Sequence, residues 1–363
     1  ILSAWLPLQA VASIAKPVMW ILSQHPLKTA RIDPLVSPGR PSSHVHSFVG
    51  SDGLQIDTVT VNQLESGSTC TTSGLDDDLS SYWAPQLYSF NAADNTFTPN
   101  RLSFVNTYYL MRGGNIQIKA FPKGFKMIAG KATQSAPGPT QQSRDIVSFV
   151  CLDYVNGSSQ TPTFPQKACP QGLRTQVIFP SCWNGVDLYQ TDQSHVVYPL
   201  GPHPDNGDCP STHPIRLPTL FYEFIWAVDG QNNANYSQWV LANGDAVGYS
   251  FHADFFAAWN ETTLQSAIDQ CEGNLFGDLQ ACPPFRSSLN RKGADACSAV
   301  STEPTSGKLK ALPGCNIVFN GPNAGKGLAE GCDPSKLAVT PAGWAPSAPT
   351  TTSTSKSSSS TTS

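Results

Sequence analysis

The sequence predicts a mainly β protein: an antiparallel β-sandwich, jelly-roll-like, with long disulfide-tied loops and little helix. Three observations carry that prediction. The 363 residues include 30 Pro and 28 Gly with only 13% charged residues, a mixture that favours turns and short strands over long helices. Hydrophobic residues make up 39% and aromatic residues 10%, enough for a large core, and they fall in short runs bounded by turn signals. Ten cysteines occur with no C-x-x-C pair, which argues against a structural zinc site or thioredoxin-type motif and allows up to five disulfides in an oxidising compartment.

Charge excludes one class of partner. The net charge is −4 and no basic cluster occurs, so nucleic acid is not expected to bind. Beyond the first residues no apolar run approaches membrane-spanning length, so no transmembrane segment is expected.

Taken in order, residues 1–12 (ILSAWLPLQAVA) read as the apolar core of a truncated signal peptide ending in Ala10-Val11-Ala12, which places the protein outside the cell. Residues 13–30 show no clear period and form an uncertain lead-in. The main β domain is expected over residues 31–285. It opens with RIDPLVSPGRPSSHVHSFVG, where Asp33-Pro34 and Pro38-Gly39 mark turns and residues 42–49 read as a strand ending at Gly50. Side chains alternate on a strand, so His44 and His46 point to one face about 7 Å apart, with Val45 on the other. Two imidazoles on one face can share a metal or wall a polar cleft.

Residues 54–59 alternate as a strand. Asp76-Asp77-Asp78 lacks the ligand spacing and glycine of a calcium loop and reads as a solvated turn or helix N-terminus. Further strands are expected over residues 81–88, 97–104, 107–111, 116–121, 147–152, 219–226 and 248–256, with a turn at Gly113-Gly114-Asn115 and a short helix over residues 264–271. Residues 286–340 form a Cys-containing C-terminal extension. Residues 341–363 are Ser/Thr-rich and read as a disordered linker or stalk. Sequons begin at Asn156, Asn235 and Asn260 and fit a secreted glycoprotein.

The stretches RIDPLVSPGRPSSHVHSFVG, SSYWAPQLY, TYYLMRGG, KAFPKGFKMIAG, VCLDY, FPSCWNGVDL, HVVYPLG, CPSTHPIRLPTLFYEF and GYSFHADFFAAW occur in that order. Together they resemble the fungal secreted family DUF1996, a domain of unknown function. The resemblance implies secretion and a Ser/Thr-rich tail, and some members carry wall- or cellulose-binding modules. It implies no reaction.

Five of the seven histidines, His44, His46, His195, His213 and His252, lie in these motifs, and His203 falls between two of them. Asp33, Glu223 and Asp254 accompany them, and His252 and Asp254 repeat the i, i+2 spacing of His44 and His46. The first reading is a secreted enzyme cleaving cell-wall polysaccharide, a hydrolase or lyase. Its carboxylate pair is Glu223 with Asp254 or Asp33, and His44, His46 and His252 supply acid/base chemistry. Asp33, His213, Tyr82, Trp83, Tyr109 and Trp183 would hold the sugar, the aromatic rings by stacking. In a second reading His44, His46 and a third imidazole, His213 or His252, bind a divalent metal, the one cofactor the sequence suggests. A third reading is a non-catalytic carbohydrate-binding or wall/adhesion protein. A monomer is expected. No G-x-S-x-G elbow, H-E-x-x-H, Gly-rich phosphate loop or dinucleotide fingerprint is present.

Overall fold

The computed structural model describes residues 19–112, 116–228, 239–275, 278–321 and 327–338. The expected signal segment, the Gly113-Gly114-Asn115 turn, the Asn235 sequon and the Ser/Thr-rich tail lie outside the described residues.

Two large sheets face one another. The first has seven strands in the order β10-β9-β11-β15-β7-β1-β18. These are β1 (Met19–Gln24), β7 (Arg101–Leu110), β9 (Val147–Cys151), β10 (Ser159–Thr161), β11 (Leu173–Ile178), β15 (Thr219–Ala227) and β18 (Asn274–Leu275). All neighbours are antiparallel except β1 and β18. The second sheet is antiparallel throughout, in the order β2-β3-β4-β17-β8. Its strands are β2 (Lys28–Ala30), β3 (His46–Gly50), β4 (Ser81–Pro85), β8 (Lys126–Gly130) and β17 (His252–Phe256). Two three-stranded sheets complete the set: β16 (Trp239–Leu241), β5 (Leu87–Asn91) and β6 (Thr96–Pro99), and β13 (Val196–Val197), β12 (Cys182–Trp183) and β14 (Ile215–Arg216). The helices α1 (Val61–Gly67), α2 (Gln141–Asp145), α3 (Glu261–Gln270) and α4 (Arg291–Ala296) are short. The expected mainly antiparallel β architecture with little helix is what forms.

Between the large sheets lies the main core. Trp20, Val105, Tyr109, Tyr222 and Phe224 from one sheet meet Tyr82, Met127, Ala253 and Phe255 from the other. The five-stranded sheet has a second core on its far face, where Phe48, Trp83 and Phe256 pack against Ile32, Leu35 and Leu54 from loops and Leu64 from α1. Covered on both faces, β3, β4 and β17 are buried at every position. The functional candidates stand on that second face.

Several expectations are corrected. Residues 54–59 form turns rather than a strand, although Leu54, Ile56 and Thr58 are buried in the expected alternation. Residues 116–121 contribute only one bridge, between Ile118 and Arg216. The strands β1 and β2 lie in the lead-in where no period was visible. Trp20 and Leu22 fill the core while Ile21 packs half-buried behind them, which erases the polar alternation of a one-faced strand. The predicted helix is present as α3, started by Asn260, whose side chain accepts from the Thr262 and Thr263 amides.

Asp78 is not solvated. It is fully buried, with Oδ2 accepting from the Tyr82 hydroxyl at 2.6 Å and Oδ1 from the Ser80 amide at 3.1 Å. Burial raises its carboxyl from 3.8 to about 7, against the pull of those hydrogen bonds. A raised folded-state value means that this stabilisation is complete below the unfolded value and is lost as pH rises through about 7. The loss is on the order of 4 kcal/mol at 1.36 kcal/mol per unit. Denaturant titrations at a series of pH values should therefore show a decline between pH about 4 and 7 that Asp78→Asn flattens. An unchanged profile in that variant contradicts this assignment.

Five disulfides, Cys70–Cys297, Cys151–Cys169, Cys182–Cys209, Cys271–Cys282 and Cys315–Cys332, account for all ten cysteines. Cys70–Cys297 anchors the C-terminal extension to the body. Beyond it, the Arg31 guanidinium pairs with Glu303 at 2.9 Å and donates to the Pro334 and Lys336 carbonyls at 2.6 and 2.5 Å. Asn316 donates to the Ser43 carbonyl at 2.7 Å. The extension is thus built onto the loop that carries His44.

Candidate metal centre

One register row across the five-stranded sheet brings two histidines together. His46 pairs with Pro85, and His252 pairs with Gly130. The neighbouring Asp254–Trp83 pair sets Pro85 alongside His252. Proline has a compact ring, so the imidazoles on either side lean across it, with centroids 6.0 Å apart. His44 enters from the loop before β3, its ring 4.4 Å from His46 and 5.1 Å from His252. His44 and His46 do meet, but from a loop and a strand rather than along one strand.

Backbone carbonyls set the protonation of two rings. His46 Nδ1 lies 3.0 Å from the Ile32 oxygen and His252 Nδ1 lies 2.8 Å from the Ser250 oxygen. A nitrogen beside a carbonyl carries the hydrogen and donates, so in the neutral rings Nε2 keeps a lone pair. His44 Nδ1 contacts Ser43 Oγ at 3.1 Å, and its Nε2 lies 3.2 Å from His252 Nε2. His46 Nε2 is buried with no hydrogen-bond partner. One nitrogen from each ring lies within 4.8 Å of the others. Two ligands at 2.0–2.1 Å in a tetrahedral site stand about 3.3 Å apart, so the His44–His252 separation already suits one ion.

Burial, and then the neighbouring imidazoles, hold His44 and His46 well below 6.5. Burial takes His252 down to about 4. All three rings are therefore neutral at pH 7, the form that ligates.

Two carboxyls adjoin the triad. Asp254 shares a strand face with His252; burial and then Asp33 push it well above 3.8, and its Oδ2 has no partner. Asp33 Oδ1 accepts from the Leu35 and Val36 amides, both at 3.0 Å, while burial raises its carboxyl to about 6. The Tyr189 hydroxyl donates to the Leu35 carbonyl at 3.0 Å; burial, Asp33 and Asp254 together raise it to about 12.

The other sequence candidates lie elsewhere. Glu223 does not pair with Asp254. It stands on the outer face of the seven-stranded sheet, where Arg174 contacts it at 2.8 Å, Tyr108 at 3.0 Å and Asn106 at 3.1 Å. His213 is not the third imidazole; its Nε2 contacts the Ser194 oxygen and its Nδ1 the Thr212 hydroxyl, each at 2.9 Å. Tyr82, Trp83 and Tyr109 have no exposed surface and cannot stack on a sugar. Tyr109 accepts from Trp259 Nε1 at 2.7 Å, and Trp83 packs 5.6 Å from Phe48. Trp183 is half-buried, with Nε1 donating to the Asp187 carbonyl at 2.7 Å. Sequence reasoning missed Tyr189, Pro85, Gly130 and the Ile32 and Ser250 carbonyls. Only the Gly130 position, closing the run KMIAG, carried a local signal.

A family model described as Domain of unknown function (DUF1996) matches residues 33–259, a span that holds the three histidines and both carboxyls. No curated protein and no solved structure matches the chain.

Proposed function

The chain belongs to the DUF1996 family, and from that premise we propose that it is a metal-dependent enzyme built on one divalent transition-metal ion held by His44, His46 and His252. The observation that carries this reading is the convergence of three buried imidazoles, two oriented by backbone carbonyls, with the buried His46 Nε2 otherwise unpartnered. Three protein ligands leave a coordination position for a water or substrate. Neutral nitrogen ligands suit copper, zinc, nickel or iron, with copper bound most tightly. Asp254, whose buried Oδ2 has no partner, shares a strand face with His252, and Asp33 lies close enough to act on its charge.

The glycan-cleaving reading loses its Glu223–Asp254 pair and three of its four stacking rings, Tyr82, Trp83 and Tyr109. The exposure of His44, His46 and His252 is 5%, 0% and 4%, which favours a small reactant over a polymer strand. Five disulfides support an extracellular location, and no helix among the described residues is long and apolar enough to cross a membrane.

Elemental analysis of the chain purified without chelator, then reloaded with copper or zinc, tests the reading. The expected result is one ion per chain, absent from His252→Ala. Failure to retain any divalent transition metal in the folded protein overturns it.

A further inference from the structure

A cavity of about 460 Å³ opens at the edge of the five-stranded sheet, against β8. Its wall includes Ile128 and Gly130, the register partners of Asp254 and His252. The cavity therefore lies one strand spacing, about 4.8 Å, from the strand that carries both groups. Gly130 matters to this arrangement. It adopts φ +76°, and a Cβ there would lie 2.4 Å from the Phe251 oxygen and 2.9 Å from His252 Cα. Only glycine lets β8, and with it the cavity wall, pack this closely against the backbone of His252. Tyr249, on another wall, adjoins Ser250, whose carbonyl orients His252.

We propose that this cavity is the reactant pocket of the three-histidine centre and that it takes a small cyclic or aromatic carboxylate. The proposal rests on the metal reading above. Its volume lies in the small-molecule range of about 300–1,000 Å³. Pro137, Pro139, Tyr198 and Tyr249 give flat apolar walls suited to a ring. Charge selects the substituent. Lys131, next to Gly130, is exposed, and its ammonium has no hydrogen-bond partner among the described residues. Arg144 adds a second cation, its guanidinium oriented by the Gly138 and Pro139 carbonyls. The one acid on the wall, Asp192, already accepts from the Ser194 amide at 2.9 Å. The wall is net positive and favours an anion.

Two measurements on the full chain test this, with benzoate as the probe. Calorimetry on the metal-free protein should show benzoate binding that weakens about tenfold in Lys131→Met and by a similar factor when benzyl alcohol replaces benzoate. On the copper-loaded protein, the ring protons of bound benzoate should relax faster than on the metal-free chain. Absence of benzoate binding, binding indifferent to Lys131, or displacement by a cello-oligosaccharide overturns the ligand class. Tight benzoate binding with no copper-dependent relaxation overturns the link to the centre. If copper itself does not bind, the fault lies with the metal reading, and the metal-free titrations still decide the pocket's ligand.

Discussion

His46→Ala is expected to lower transition-metal affinity by at least about 100-fold without unfolding the protein, since removing even an outer-shell partner of a metal ligand costs 10–100-fold. His46 is fully buried, yet two other imidazoles and the Ile32 carbonyl surround it, so water can occupy the vacated space. His213→Ala is the matched control, because that ring is engaged with Ser194 and Thr212 away from the triad. Competition titrations against a chelator of known affinity, with circular dichroism to verify folding, separate the two variants. Equal affinities in wild type and His46→Ala would remove His46 from the ligand set.

Breaking the Arg31–Glu303 pair should produce the largest loss of stability. The two side chains are 0% and 2% exposed, and the same guanidinium donates to the Ser42, Pro334 and Lys336 carbonyls. Burial pushes the Glu303 carboxyl up while Arg31 pulls it back, so Arg31→Met leaves a buried acid without its cation. Such a change costs about 3–5 kcal/mol. Arg31→Met/Glu303→Leu should recover part of this but not all, because three carbonyls still lose their donor. Thermal and denaturant unfolding of both variants checks the order. If the double variant is as unstable as the single one, the uncompensated charge is not the cause. Since Asn316 of the same extension also holds the Ser43 carbonyl, Arg31→Met should weaken metal binding as well, by loosening the segment that delivers His44.

Composition and turn spacing made the β class legible because a sandwich is assembled from short runs whose periodicity is local. The strands at residues 219–227 and 147–151 show it: each was readable from its own sequence. The His-x-His pair was legible for the same reason. Its third member was not resolved, because the choice between His213 and His252 depends on which strand lies across β4 from β3, a long-range pairing that no local pattern encodes. The aromatic residues misled for a related reason. Tyr82 and Trp83 lie on opposite faces of one strand, which in most sheets would expose one of them; here the five-stranded sheet is covered on both sides and neither is exposed. Glu223 alternates with Tyr222 and Phe224, which face the core, and so points outward. That orientation is right, but the face it occupies belongs to the other sheet.

X-ray absorption at the zinc edge of the zinc-loaded chain addresses the central claim most directly. Three imidazole nitrogens at about 2.0–2.1 Å with one oxygen ligand are predicted, falling to fewer nitrogens in His44→Ala, His46→Ala and His252→Ala alike. A first shell of oxygens alone, or one unaltered by all three substitutions, would place the ion elsewhere and leave the buried histidines as packing.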